Sequence, residues 1–212
     1  MSTHNNTEET TEEEASAQAA MIMAAMQGEE EEPRSVLGII GDIESESANE
    51  VMQGFIHFND GKVFPNPLEE GDEVEPDVEF LITTGGGAVH EMFAIYDLMN
   101  IVKVRRDIAT LGVGKVFSAG VPLLINGTPG KRHITKNTRI MLHRCNGGNM
   151  GTTADMESSH EEMRLIEDMM IDLLAENTNL TVTDIKQMFS TNTDTFFSAE
   201  QALEMGLVDK II

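Results

Sequence analysis

From residue 35 onward, short apolar runs alternate with segments whose apolar residues recur every three or four positions. Residues 36–40 form a compact apolar run that stops at Gly41 and Asp42, as a short buried strand does. In 45–58, Val51, Phe55 and Ile56 fall on one side of a helix. Residues 59–77 carry Gly, Pro and clustered acids and read as a long loop. The pattern then gives a strand over 78–83, broken by Gly85, Gly86 and Gly87, and a helix over 89–101. A strand over 107–113 leads to a helix running through Leu124, and 139–143 is a further strand. The strongest helical signal is 155–177, where Met163, Ile166, Met170 and Leu173 share one face between acidic residues. Shorter helices are expected at 183–189 and 199–205. Strands alternating with helices predict a layered α/β fold, and no internal repeat is visible.

Composition changes this picture at the N-terminus. Residues 1–34 hold nine glutamates, no aspartate and one basic residue, Arg34, around a Met/Ala-rich stretch at 17–26. That predicts an acidic, disordered tail, with a docking or removable pro-segment as the alternative, ahead of one domain over 35–212. The first residues lack the basic start and apolar centre of a secretion signal. The net charge of −23 disfavours nucleic acid and anionic membranes as partners. No apolar run reaches the roughly 18 residues that a spanning helix needs. Cys145 is the single cysteine, which excludes an internal disulfide and fits a reducing, cytoplasmic setting. The six histidines are scattered without metal-type pairing, so no metal is expected.

Several glycine signals fail as nucleotide sites. Gly114-Lys115 lacks the earlier glycine of a phosphate loop, and Val116 stands where a Ser or Thr would hold magnesium. Gly130-Lys131 is followed by Arg132, and Gly85 to Gly87 lack dinucleotide spacing. Ser118 carries more chemistry. It lies where a strand gives way to a helix, in the setting an attacking serine needs, although a serine there also reads as a helix N-cap. His143 closes the apolar strand that begins at Arg139, where an imidazole can reach a neighbouring junction as a base. Asp194 precedes Phe196 and Phe197, both expected to be buried, which would shelter a carboxylate that orients an imidazole.

Taken together, these segments resemble the ClpP family, the proteolytic subunits of ATP-dependent Clp proteases. Ser118 and His143 are 25 residues apart, as in the family, and Gly147, Gly148 and Gly151 keep its spacing after the histidine. Residues 127–132 (Gly-Thr-Pro-Gly-Lys-Arg) and 137–143 (Asn-Thr-Arg-Ile-Met-Leu-His) are similar to its connecting motifs. So are 194–200 (Asp-Thr-Phe-Phe-Ser-Ala-Glu), 206–209 (Gly-Leu-Val-Asp), Gly86-Gly87 and Ile95-Tyr96-Asp97. The resemblance spans about residues 35–212. Departures include Phe117 for a small residue, Lys115 for glutamine, Ala119 for methionine, Arg144-Cys145 for Gln-Pro and Thr193 for an arginine.

The resemblance implies a ClpP/crotonase-like fold of stacked βαβ units with a projecting helical handle at 155–177. It implies serine endopeptidase chemistry with Ser118, His143 and Asp194 as the triad. The backbone N–H groups of Gly87 and Ala119 would form the oxyanion hole. No cofactor is implied for this chain, since ATP would be used by a partner AAA+ unfoldase of the Clp type that delivers protein and peptide substrates. Members assemble as heptameric rings stacked into a tetradecamer, so a homo-oligomer or a mixed ring with another ClpP subunit is expected. Two rivals stand beside this reading: a subunit that joins or regulates another ClpP ring without cleaving peptides, and an acyl-CoA enzyme of the crotonase type.

Overall fold

The computed structural model describes residues 35–73, 75–148, 150–191 and 193–212, so the expectation for the tail, 1–34, lies outside the described residues. Strands β1 (Ser35–Ile40), β2 (Val78–Thr84) and β3 (Ile108–Phe117) run parallel, with Leu37 opposite Phe80 and Phe80 opposite Thr110. Parallel neighbours need crossovers, and helices α1 (Ser45–Phe58) and α2 (Val89–Val102) supply them. Helix α1 starts with a reciprocal capping box between Glu44 and Ser47 and buries Ala48, Val51 and Phe55. On β2, Val78, Phe80, Ile82 and Thr84 alternate into the core, and Phe80 meets Phe55 edge to face at 5.3 Å. Each such fully buried ring stabilises the fold by about 1.5–3 kcal/mol.

Strand β3 bends, and the bend builds the site. Its first half pairs with β4 (Arg132–Ile134), Thr110 opposite Arg132. Its second half pairs with β5 (Arg139–Leu142), Phe117 opposite Met141. Between them Gly114 sits at φ 70, a backbone region that side chains disfavour, and its N–H is held by Thr138 Oγ1 at 2.9 Å. The register between β2 and β3 shifts at the same place. Gly112 and Gly114 interrupt the apolar pattern, which is why the sequence pattern ends at 113, whereas pairing of 115–117 with β5 carries β3 on to Phe117. The following helix, α3 (Gly120–Ile125), is short and wholly buried.

The remaining elements are α4 (Thr153–Asn177), α5 (Val182–Ser190), β6 (Thr195–Phe197), α6 (Ala199–Glu204) and β7 (Lys210–Ile211). Strand β6 runs antiparallel to β5, and β7 extends the sheet beside β4. Strands β4, β6 and β7 were not expected from the sequence, because two or three residues cannot display a period. Helix α4 is capped by Thr152 and Asp155. Its first three turns are exposed, and burial begins at Ile166, so the helix projects as a handle. The α/β architecture expected from the alternation is the one observed and is consistent with a ClpP/crotonase-like fold. Among the described residues, no helix is long and apolar enough to cross a membrane.

Candidate active site

Ser118 occupies the two-residue link between β3 and α3. The neighbouring strand takes its N–H, which donates to the Met141 carbonyl at 2.8 Å. The residue itself turns into the left-handed region at φ 52, a strained state for a side chain that costs roughly 1 kcal/mol. The turn is locked from below, since Val121 N–H donates to Ser118 O at 3.0 Å. A helix N-cap serine would accept a backbone N–H with its own oxygen; instead Ser118 Oγ lies 2.8 Å from His143 Nε2. The β3–β5 pairing makes that contact possible, because it sets Met141 beside Phe117, two residues short of His143.

The Gly85–Gly87 turn comes up against the serine. Gly86 lies so close that a Cβ added there would stand 2.7 Å from Ser118 Cβ and 3.0 Å from Phe117 O. Thr84, buried, secures the turn by accepting the Gly86 N–H at 3.0 Å. On the far side Ile43 N–H donates to Gly86 O at 2.8 Å and Ala88 N–H donates to Ile43 O at 2.8 Å. These bonds leave the Gly87 N–H without a partner among the described residues, and the Ala119 N–H is likewise unpaired. Both residues line one cleft of about 340 Å³ together with Ser118 and His143. Two free donors beside a serine are what a developing oxyanion requires.

Val89, Leu142, Met163, Ile166 and Met170 give the cleft its apolar wall. The face of the handle read from the periodicity therefore closes onto the site at its inner end. Arg144 ties the segment after the histidine to that helix, with Nη2 3.2 Å from Glu167 Oε2. Cys145 also lines the cleft, and burial pushes its thiol pKa up, which disfavours its thiolate.

The third expected residue is not in contact. Asp194 is exposed, and among the described residues it makes no hydrogen bond or ion pair. Phe197 is buried, but Phe196 is 48% exposed, contrary to the expectation that both would be covered. Adjacent residues on a strand face opposite ways, and on β6 the core covers the face that carries Phe197 and not the one that carries Phe196. Phe196 packs edge to face on Phe117 at 5.7 Å, which accounts for the bulky residue before the serine: Phe117 does not line the cleft. The Nδ1 side of His143 is occupied by Asn146, whose Nδ2 lies 3.2 Å away. Sequence reasoning missed Asn146, and only a polar residue three places after the histidine could have pointed to it. Asp209, another carboxylate near the C-terminus, is bound to Arg132, which holds its pKa below the usual carboxylate range.

Compared with known proteins, residues 34–212 match the family model for Clp protease. The chain is 34% identical over 170 residues to the ATP-dependent Clp protease proteolytic subunit 3 of Frankia casuarinae, covering 80% of this chain and 73% of that protein.

Proposed function

The chain belongs to the Clp protease family and is a proteolytic subunit of that kind, and on that premise we propose that it is a serine endopeptidase. The observation that carries the proposal is Ser118 Oγ 2.8 Å from His143 Nε2, in a cleft that also presents the unpaired N–H groups of Gly87 and Ala119. Ser118 attacks the scissile carbonyl while His143 takes its proton and returns it to the leaving amine. The Gly87 and Ala119 N–H groups receive the negative charge on the carbonyl oxygen; loss of one such donor costs about 3 kcal/mol of transition-state stabilisation. Asp194 is assigned the third place, holding the imidazole in its useful tautomer. Water then releases the acyl group by the same steps in reverse order.

The family supports assembly into rings with a Clp-type ATPase as partner. We assign to this chain heptameric rings stacked in pairs, or mixed rings with another subunit of the family, fed with unfolded protein by an AAA+ unfoldase. No ATP site is needed on the chain itself. The proposal is tested by labelling with a serine-directed fluorophosphonate. Label is expected on Ser118 in the native chain and is expected to vanish in Ser118→Ala. Equal labelling of both chains overturns it.

A further inference from the structure

Taking Ser118 and His143 as the working pair of the proposed peptidase, we propose that Asn146 is a positioning residue that competes with Asp194 for His143 Nδ1. Exchange of one for the other sets whether the histidine acts as donor or base. Asn146 Nδ2 lies 3.2 Å from Nδ1, and an amide NH2 can only donate; we assign this contact as a bond from the amide to an unprotonated Nδ1. The ring proton then sits on Nε2, and Nε2 donates to Ser118 Oγ across their 2.8 Å contact. A serine that receives a proton bond from the histidine has no base to take its own proton. The arrangement is a resting one.

The same sheet holds the means of reversing it. The antiparallel pairs of β5 and β6 are Ile140–Phe197, Met141–Phe196 and Leu142–Thr195. One more pair in this register places His143 opposite Asp194. Directly opposed residues send their side chains to the same face, with Cβ atoms about 4.5–5.5 Å apart. Asp194 is exposed and has no other partner among the described residues, so nothing must be broken to bring it in. Asn146 is also exposed and gives up a single bond. A carboxylate only accepts, so on reaching Nδ1 it selects the Nδ1–H tautomer; the ring yields its Nε2 proton to water and takes one at Nδ1. Nε2 is then free to accept the proton of Ser118.

Rates of fluorophosphonate labelling at Ser118 in the full chain test this. Asp194→Ala should slow labelling at least tenfold. Adding Asn146→Asp, which puts a carboxylate where the amide now sits, should restore at least tenfold of that loss, whereas a residue with only a structural role would give no rescue. Asn146→Ala with Asp194 intact should label severalfold faster than the native chain, since the competitor is gone. A double variant no faster than Asp194→Ala, or an Asn146→Ala chain slower than native, overturns the proposal while leaving the serine peptidase reading in place. Absence of any Ser118-dependent label in the native chain removes that reading, and this proposal with it.

Discussion

The two flanks of the cleft are built differently. On the serine flank the backbone is tied down on both sides of Ser118. Ser118 is pinned between Met141 and Val121, and the glycine turn is secured by Thr84 and Ile43. These contacts gather around β3, which has neighbours on either side in the sheet. On the aspartate flank a three-residue strand begins at Thr195, and Asp194 precedes its first pair, exposed to solvent. The proposed nucleophile and oxyanion donors are thus preorganised by the core, while the carboxylate proposed to set the histidine tautomer is left at the frayed end of a ladder. Stability and catalytic readiness are separated in space, so substitutions on the two flanks should fail in different ways.

The largest effect is expected for Ser118→Ala, with peptidase turnover falling about a millionfold. The fold should persist, and Ser118→Gly should be more stable than Ser118→Ala by about 1 kcal/mol, because glycine alone is unstrained at that φ. Paired kinetic and urea-unfolding measurements check both statements; an equally stable pair would mean the turn is not strained. Asp194→Asn should come next. Turnover should drop on the order of ten-thousandfold, because the amide permits the wrong tautomer. The unfolding midpoint should barely move, as surface changes stay within about 0.5 kcal/mol. A large loss of stability would show that the aspartate flank is structural after all.

Gly86→Ala should damage both properties at once, which is the signature of the serine flank. The new methyl would meet Ser118 Cβ at 2.7 Å, on a residue held at φ 97. Stability should fall by about 1–3 kcal/mol, and displacement of the nucleophile by a fraction of an ångström to about 1 Å should cost about a hundredfold in rate. Retention of full activity would contradict the locked geometry.

The smallest effect concerns Lys103, whose ammonium donates to Asn126 O at 2.9 Å at the far end of α3. Burial lowers its pKa from 10.5 to about 8. Between those values the unfolded chain holds a proton that the folded chain has released, so stability should rise as pH climbs through that window. Allowing for the partial exposure of the side chain, the rise is on the order of 1 kcal/mol. Lys103→Met should flatten it, as measured by chemical unfolding at pH 7 and pH 10; a rise that survives the substitution would assign it to another group.

Much of this molecule was legible in the chain. Helix α1 was readable to the residue because Val51 and Phe55 recur at helical spacing behind a polar start, and α4 because its apolar residues repeat over many turns. Ser118 and His143 stood out from a strand-to-helix change and a strand end, reinforced by motifs at fixed separations. The short strands did not, since β6 and β7 exist only through their partners in the sheet. Nor did the opposite fate of Phe196 and Phe197, which depends on which face of the sheet the core covers at β6.

By itself the sequence determined the order of the longer strands and helices, the candidate serine and histidine, and the family to which the chain belongs, because those rest on local periodicity and on spacing along the chain. Only the tertiary structure decided that Gly114 bends β3 onto two different neighbours, that Gly87 and Ala119 keep their N–H groups free among the described residues, and that Asn146 rather than Asp194 faces His143. Those outcomes depend on which strands pair and where a ladder stops, and hydrogen bonding between residues far apart in the chain leaves no period in the sequence to read.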